Sequence, residues 1–199
     1  AVLDALAYAR TRNGKTDNRH QISHLEVVDP GDFARFKELG VSANMQLFWA
    51  LPDVYTIEAL QPYLTPERFK LVYPAHSLVA AGANLIGGSD WPVDVFPDDP
   101  MPNTPLRATF MGMSRTNPFE PQYPGALNAA ERVTLDDMLA AYTINAAHAL
   151  RMEKEVGSIE VGKLADLVVL DQDLRSLTPE QILGANVTPT IFDGTVVYD

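Results

Sequence analysis

The chain has 199 residues, 46% of them hydrophobic, which is enough for one domain with a proper core, alone or with a small second domain. A formal net charge of −11 argues against a nucleic-acid backbone or an anionic membrane surface as the main partner. With no cysteine and no apolar run as long as a membrane span, we expect a soluble, cytoplasmic protein without disulfides.

Strands alternate with helices in the first half of the chain. Residues 1–12 have the apolar spacing of a helix but no capping residue before them, so the chain is expected to begin inside an element, as a fragment would. Apolar runs predict strands at residues 20–28, 41–48 and 83–86. Strands that alternate with helices at these intervals predict a parallel sheet, apolar on both faces and covered by helices.

The second half of the chain has a different composition. Prolines and polar residues dominate residues 91–133, apart from a predicted helix around residues 105–113. This segment contains an acidic cluster of Asp94, Asp98 and Asp99. We interpret it as a solvated loop, because the carboxylates lack the regular spacing of a cation site.

One helix, two strands and a hairpin are predicted after this segment. Residues 134–150 predict one capped helix. Residues 156–171 predict two strands that turn around Gly162 and Lys163, and a hairpin is expected around residues 193–194. The tail is therefore β-rich and distinct from the α/β part.

Asp90 is the strongest candidate for chemistry. It follows the third predicted strand on a restricted segment, after Gly87 and Gly88 and before Pro92. The carboxyl edge of a parallel sheet is where ligands bind in α/β proteins. Asp90 is therefore a candidate metal ligand or general base, and the alternative is a turn aspartate that caps its own backbone.

Three patches of the sequence resemble the amidohydrolase superfamily, and within it amidohydrolase family 3, which includes N-substituted formamide deformylases. They are residues 22–36, which contain His24 and Glu26, residues 88–92 around Asp90, and residues 157–171. Residues 143–150 fit the same pattern.

The resemblance implies an α/β fold, namely the C-terminal part of a (β/α)8 TIM barrel with about strands six to eight, plus a β-sandwich segment. Residues 1–150 would form the barrel part and residues 151–199 the sandwich segment. His24 matches the strand-six histidine and Asp90 the strand-eight aspartate of the metal site. The chain has no His-x-His, so the ligands of strands one, four and five would lie before residue 1.

The function implied by the resemblance is hydrolysis of carbon–nitrogen bonds other than peptide bonds, in a small amide-type substrate. One or two divalent metal ions, usually zinc, would activate the attacking water, with His24 and Asp90 as ligands and Asp90 as the general base. The isolated chain is expected to be inactive, and the alternative is a non-catalytic assembly module that keeps both residues without metal. Unpaired strand edges predict self-association or pairing with the missing N-terminal half.

Other polar and aromatic residues leave alternatives open. Trp91 could form a substrate wall or pack in the core. Arg107 and Arg115 could bind an anionic group of the substrate, or be exposed or ion-paired. His20 and His148 are expected to be structural or exposed. His76 is also expected at the surface, although it could line the pocket.

Overall fold

A computed structural model describes residues 1–93 and 104–199, and its first sheet carries the candidate site. This sheet is parallel and contains β1 (Gln21–Ser23), β2 (Ser42–Met45) and β3 (Asn84–Gly87), in that order. Gln21 pairs with Ser42, and Ser42 pairs with Asn84, so the three strands run side by side in one direction. The predicted parallel sheet is confirmed, although each strand is shorter than its apolar run.

Helices surround this sheet and connect its strands. The α-helices of the described residues are α1 (Val2–Asn13), α2 (Phe33–Leu39), α3 (Pro66–Phe69), α4 (Ala75–Ala80), α5 (Pro105–Ser114), α6 (Leu135–Tyr142), α7 (Ile144–Ala149) and α8 (Pro179–Ile182). Several begin with the same local chemistry, a threonine N-cap followed by proline, as at Thr65, Thr104 and Thr178. Within the described ranges, every helix is too short or too polar to cross a bilayer.

The two faces of the parallel sheet differ in polarity. Ala43, Met45 and Leu85 belong to the buried hydrophobic core, together with side chains from the surrounding helices. Side chains alternate between the faces of a strand, so Ser42 and Asn84 lie on the opposite face, where the Asn84 side-chain amide donates to Ser42 Oγ (3.0 Å). The prediction of two apolar faces is therefore wrong, because every second residue of β2 is polar.

The helix predicted over residues 134–150 is interrupted at Thr143, where φ is −126° and ψ is −99°. The Thr143 hydroxyl donates to the Leu139 carbonyl (2.6 Å), a local bond of the kind that competes with regular helix geometry. After the break, the side-chain amide of Asn145 donates to the Leu85 carbonyl of β3 (3.0 Å). A contact with the sheet therefore accompanies the break that separates α6 from α7.

The second sheet is antiparallel and contains β4 (Leu167–Leu170), β5 (Val187–Phe192) and β6 (Thr195–Tyr198). The predicted hairpin is confirmed. Its two turn residues, Asp193 and Gly194, have φ values of 47° and 75°, as the right-handed twist of a tight hairpin favours.

Only one of the two strands predicted over residues 156–171 forms, namely β4. The preceding residues make turns, in which the Lys163 ammonium lies 3.2 Å from a Glu160 carboxylate oxygen and also donates to the Ser158 hydroxyl. These local side-chain contacts take the place of a strand pairing, so the glycine at position 162 belongs to a turn rather than to a hairpin.

A partly buried ion pair between Arg19 and Glu153 joins the segment before β1 to the segment after α7. The two terminal guanidinium nitrogens of Arg19 each donate to a Glu153 carboxylate oxygen at 2.8 Å. The Arg19 guanidinium lowers the pKa of Glu153 from 4.5 to about 2. Because the folded pKa lies below the unfolded one, this pair stabilises the fold above pH 4.5, and its contribution is lost as the pH falls toward about 2.

We therefore expect the variant Glu153→Gln to unfold at lower urea concentration than the unaltered chain at pH 7. The difference should shrink as the pH is lowered toward 2, because Glu153 is then protonated in the unfolded chain and about half protonated in the folded one. Urea unfolding followed by circular dichroism measures this difference. The exposed Glu155 makes no ion pair within the described residues, so Glu155→Gln is the control, and a difference for Glu153→Gln that persists at pH 2 would contradict the assignment.

Candidate active site

The carboxyl ends of the three parallel strands bring two candidate residues together. His24 directly follows β1, and Asp90 lies on the loop after β3. The His24 Nε2 atom lies 3.8 Å from a carboxylate oxygen of Asp90. Their side chains are 50% and 26% exposed, so both groups remain accessible from the solvent side of the sheet edge.

The backbone of this pair is held in an unusual conformation. The φ values of His24, Leu25 and Asp90 are 67°, 61° and 56°, in the left-handed region that residues with a side chain rarely adopt. Such conformations cost roughly 1–3 kcal/mol each and cluster at functional sites. The strand predicted over residues 20–28 ends at Ser23 for this reason, so His24 lies after a strand and not within it.

Gln46, which directly follows β2, holds His24 in this position. The His24 backbone amide donates to the Asn44 carbonyl (2.9 Å) and to the side-chain oxygen of Gln46 (3.1 Å). The Gln46 side-chain nitrogen donates in turn to the Asn44 side chain (3.0 Å). Sequence analysis missed Gln46, and the signal that could have identified it is its place at the end of the second apolar run.

Gly88 provides the space for this amide pair. A Cβ atom at position 88 would lie 2.7 Å from the Gln46 side-chain nitrogen and 2.9 Å from the Asn44 side-chain oxygen. We therefore expect Gly88→Ala to displace the Gln46 amide, to shift the NMR resonance of the His24 amide, and to lower the free energy of unfolding by about 1–2 kcal/mol through lost hydrogen bonds.

The control for this substitution is Gly184→Ala. Its added Cβ would meet only the Gln181 carbonyl, at an ordinary contact distance of 3.5 Å. Urea unfolding and amide resonances should be close to those of the unaltered chain. An unchanged His24 amide resonance in Gly88→Ala would show that Gln46 does not position His24.

A cavity of about 530 Å³ opens beside His24 and Asp90. Glu26 also lines it, and its carboxylate accepts a hydrogen bond from the Tyr73 hydroxyl (2.8 Å). Burial and the neighbouring Glu26 carboxylate raise the pKa of the Tyr73 hydroxyl far above its ordinary value, so it stays a donor. Three acidic side chains, Glu26, Asp53 and Asp90, therefore contact one solvent-connected space.

The His24–Asp90 pair suits a divalent metal in the kind of its ligands but not in their number. An imidazole nitrogen and a carboxylate oxygen are both ligands that zinc accepts, and catalytic zinc sites take three ligands from protein. Among residues 1–93 and 104–199, no three His, Asp or Glu side chains are grouped closely enough to hold a metal ion. This part of the chain thus brings together two residues of the kinds that bind zinc, fewer than a catalytic zinc site takes from protein.

The other predicted candidates lie outside this pair. His20, His76 and His148 are exposed, and the ring of His148 is 3.9 Å from Glu153. Trp91 is 80% exposed, so the core-packing alternative is wrong for it. The acidic cluster of residues 94–99 lies outside the described residues.

The two candidate arginines, Arg107 and Arg115, both contact other residues of the protein. Arg107 stacks on the Phe119 ring, with 5.3 Å from its guanidinium carbon to the ring centroid. Arg115 is fully buried, so the exposed alternative is wrong for it, and it donates to three backbone carbonyls. Among the described residues it forms no ion pair.

Two solved proteins contain the arrangement of strands and helices seen in this chain. An uncharacterised metal-dependent hydrolase from Pyrococcus horikoshii matches 88% of this chain with a TM-score of 0.64 and 22% identity, over 32% of its own length. An adenosine deaminase from Xanthomonas campestris, solved with bound zinc, matches 98% of this chain with a TM-score of 0.56 and 21% identity, over 43% of its own length.

The chain belongs to the amidohydrolase family, whose model matches residues 1–198. An N-substituted formamide deformylase from Arthrobacter pascens is 32% identical, over 100% of this chain and 34% of the relative. Protein LONG AFTER FAR-RED 3 from Arabidopsis thaliana is 31% identical, over 99% of this chain and 32% of the relative. The resemblance found in the sequence is confirmed, and the chain spans about a third of the length of these relatives.

Proposed function

We propose that this chain supplies part of the active site of a metal-dependent hydrolase that cleaves amide-type carbon–nitrogen bonds. The observation that carries the proposal is the 3.8 Å approach of His24 and Asp90 at the carboxyl edge of a parallel sheet. Membership of the amidohydrolase family supports the reaction class. The deformylase relative makes N-substituted formamides the first substrates to test.

In this proposal, β1, β2 and β3 correspond to strands six, seven and eight of a (β/α)8 barrel. Residues 1–150 form the barrel part, and residues 151–199 form a segment of a β-sandwich. The exposure of Val196 and Val197 on β6 supports the second assignment, since an apolar strand of this kind is normally covered by another layer. The polar face of the parallel sheet would line the inside of the barrel.

His24 would act as a neutral imidazole ligand, and Asp90 as a ligand and general base. A bound zinc ion would supply a water of lowered pKa and a polarising charge on the carbonyl oxygen. Asp90 would take a proton from the attacking water and deliver it to the leaving nitrogen. Gln46 would keep His24 in place through the His24 backbone amide.

Two ligands seldom hold zinc tightly, so we propose that the described chain alone has little hydrolase activity. The remaining ligands would come from another part of the protein or from another chain. The unpaired edges of β1 and β3 favour association with such a partner. Without that partner, the chain would remain a folded module that binds no metal.

Zinc content and formamide hydrolysis, measured on this chain and on the intact protein, test the proposal. We expect the intact protein to hold at least one metal ion per polypeptide and to lose hydrolysis when a chelator removes it. The isolated chain should hold less metal and hydrolyse no formamide at an enzymatic rate. An intact protein that hydrolyses amides after complete metal removal would overturn the proposed mechanism.

A further inference from the structure

The cavity beside His24 and Asp90 is lined by both acidic and aromatic side chains, and among these the proposed reaction gives a role to Asp90 alone. Its described lining contains three carboxylates, those of Glu26, Asp53 and Asp90, and no lysine or arginine. The indole of Trp49 and the phenol ring of Tyr55 belong to the same lining. A concave space of this kind is where a small organic ligand binds.

Glu26 has a carboxylate oxygen that is available to accept a hydrogen bond from a ligand. The Tyr73 hydroxyl engages one of its oxygens, and within the described part of the chain its other oxygen has no hydrogen-bond or ion-pair partner. Asp53 is used differently, because its carboxylate caps the helical turn Val54–Leu60 by accepting from the Thr56 amide (2.7 Å). Glu26 is therefore the side chain free to meet a ligand.

The two aromatic residues of the cavity lining, Trp49 and Tyr55, both leave part of their rings exposed. Tyr55 is 70% exposed, a large apolar surface that the fold itself leaves uncovered. Trp49 is half-buried and packs against Phe48, with 4.1 Å between the ring centroids, so its orientation is fixed by the core. Aromatic faces attract organic cations, and a nearby carboxylate adds a separate Coulomb attraction for the same charge.

Arg115, which contacts Tyr73, is not part of the described cavity lining. The guanidinium carbon of Arg115 lies 5.9 Å from the Tyr73 ring centroid, and its N–H groups donate to backbone carbonyls. It therefore contacts Tyr73 from outside the described lining. Among the described residues, Arg115 therefore makes no hydrogen bond or ion pair with Glu26.

We propose that this cavity binds an organic ammonium group, between Glu26 and the rings of Trp49 and Tyr55. The further statement that this group is the N-substituent of the amide substrate rests on the proposed function. The binding of an organic ammonium ion does not, because it requires neither metal nor hydrolysis. The inferred substrate class is therefore an amide whose nitrogen carries a cationic side chain.

Binding of choline and of its uncharged isostere 3,3-dimethylbutan-1-ol tests the ammonium site. Amide resonances of the 199-residue chain report both dissociation constants in an NMR titration. We expect choline to bind about tenfold more tightly than the alcohol, which corresponds to a cation–π contact supported by one carboxylate. Resonances of Trp49 and Tyr55 should shift with choline.

Glu26→Gln and Tyr55→Leu should each remove most of this preference while leaving the amide spectrum folded. Glu58→Gln is the matched control, because Glu58 lies on the same turn as Tyr55 but outside the cavity lining. Equal binding of the two ligands, no choline binding at about 100 mM, or an equal loss in Glu58→Gln would overturn the proposal. Absence of hydrolysis by the intact protein with choline binding retained would overturn only the proposed reaction.

Discussion

Replacing Asp90 by Asn in the intact protein is expected to lower kcat/KM for amide hydrolysis by about 10²- to 10⁴-fold. Asn has the shape of Asp, but its amide cannot accept the proton that a general base must take from water. Loss of the carboxylate also removes one of the two metal ligands proposed in this chain. Initial rates with an N-substituted formamide, together with zinc content, measure both effects.

Asp193→Asn is the control for this substitution. It makes the same change in the hairpin turn between β5 and β6, where φ is 47° and Asn is well tolerated. Its activity should stay within about twofold of the unaltered protein, because surface substitutions away from a site have small effects. An Asp90→Asn protein with normal activity and full metal content would exclude Asp90 as the base.

Replacing Arg115 by Met is expected to lower the free energy of unfolding by about 3–5 kcal/mol. The guanidinium is fully buried and donates to the Leu127, Tyr73 and Val72 carbonyls at 2.9, 3.2 and 2.9 Å. Hydrogen bonds from a charged donor contribute about 1.5–3 kcal/mol each and do not add fully. Burial lowers the pKa of Arg115 to about 10, so the side chain still carries its proton at pH 7.

Arg132→Met is the matched control, since exposed Arg132 donates one hydrogen bond, to the Ser114 carbonyl (2.9 Å). Its cost should be below about 1.5 kcal/mol. Arg115→Lys should fall between the two variants, because a single ammonium cannot reach three carbonyls in the fork geometry of a guanidinium. Urea unfolding compares them, and an Arg115→Met chain as stable as Arg132→Met would show that the buried network contributes little.

The Arg115 result bears on the cavity as well. Tyr73 donates its hydroxyl to Glu26, and Arg115 binds the Tyr73 carbonyl. The backbone amide of Tyr73 also donates to the Glu26 carbonyl (2.8 Å). Arg115 thus helps to fix the segment whose Tyr73 binds Glu26, the residue proposed to meet an ammonium ligand.

Local features of the sequence predicted the elements whose chemistry is local. The predicted helix α5, which begins at Thr104 and Pro105, and the Asp193-Gly194 turn each depend on neighbouring residues alone, and the structure has them. Alternation of strands with helices likewise predicted the parallel sheet, because strands joined by helical crossovers run in the same direction. The position of Asp90 after a strand followed from the same pattern.

Only the tertiary structure decided what depends on distant partners. The break at Thr143 accompanies the bond from Asn145 to β3, and the left-handed turn at His24 depends on acceptors from Asn44 and Gln46. Arg115 is buried because carbonyls from two remote segments meet its guanidinium. Sequence patterns determined where strands end, whereas the approach of His24 to Asp90 and the charge of the adjoining cavity required the sheet register that places those ends side by side.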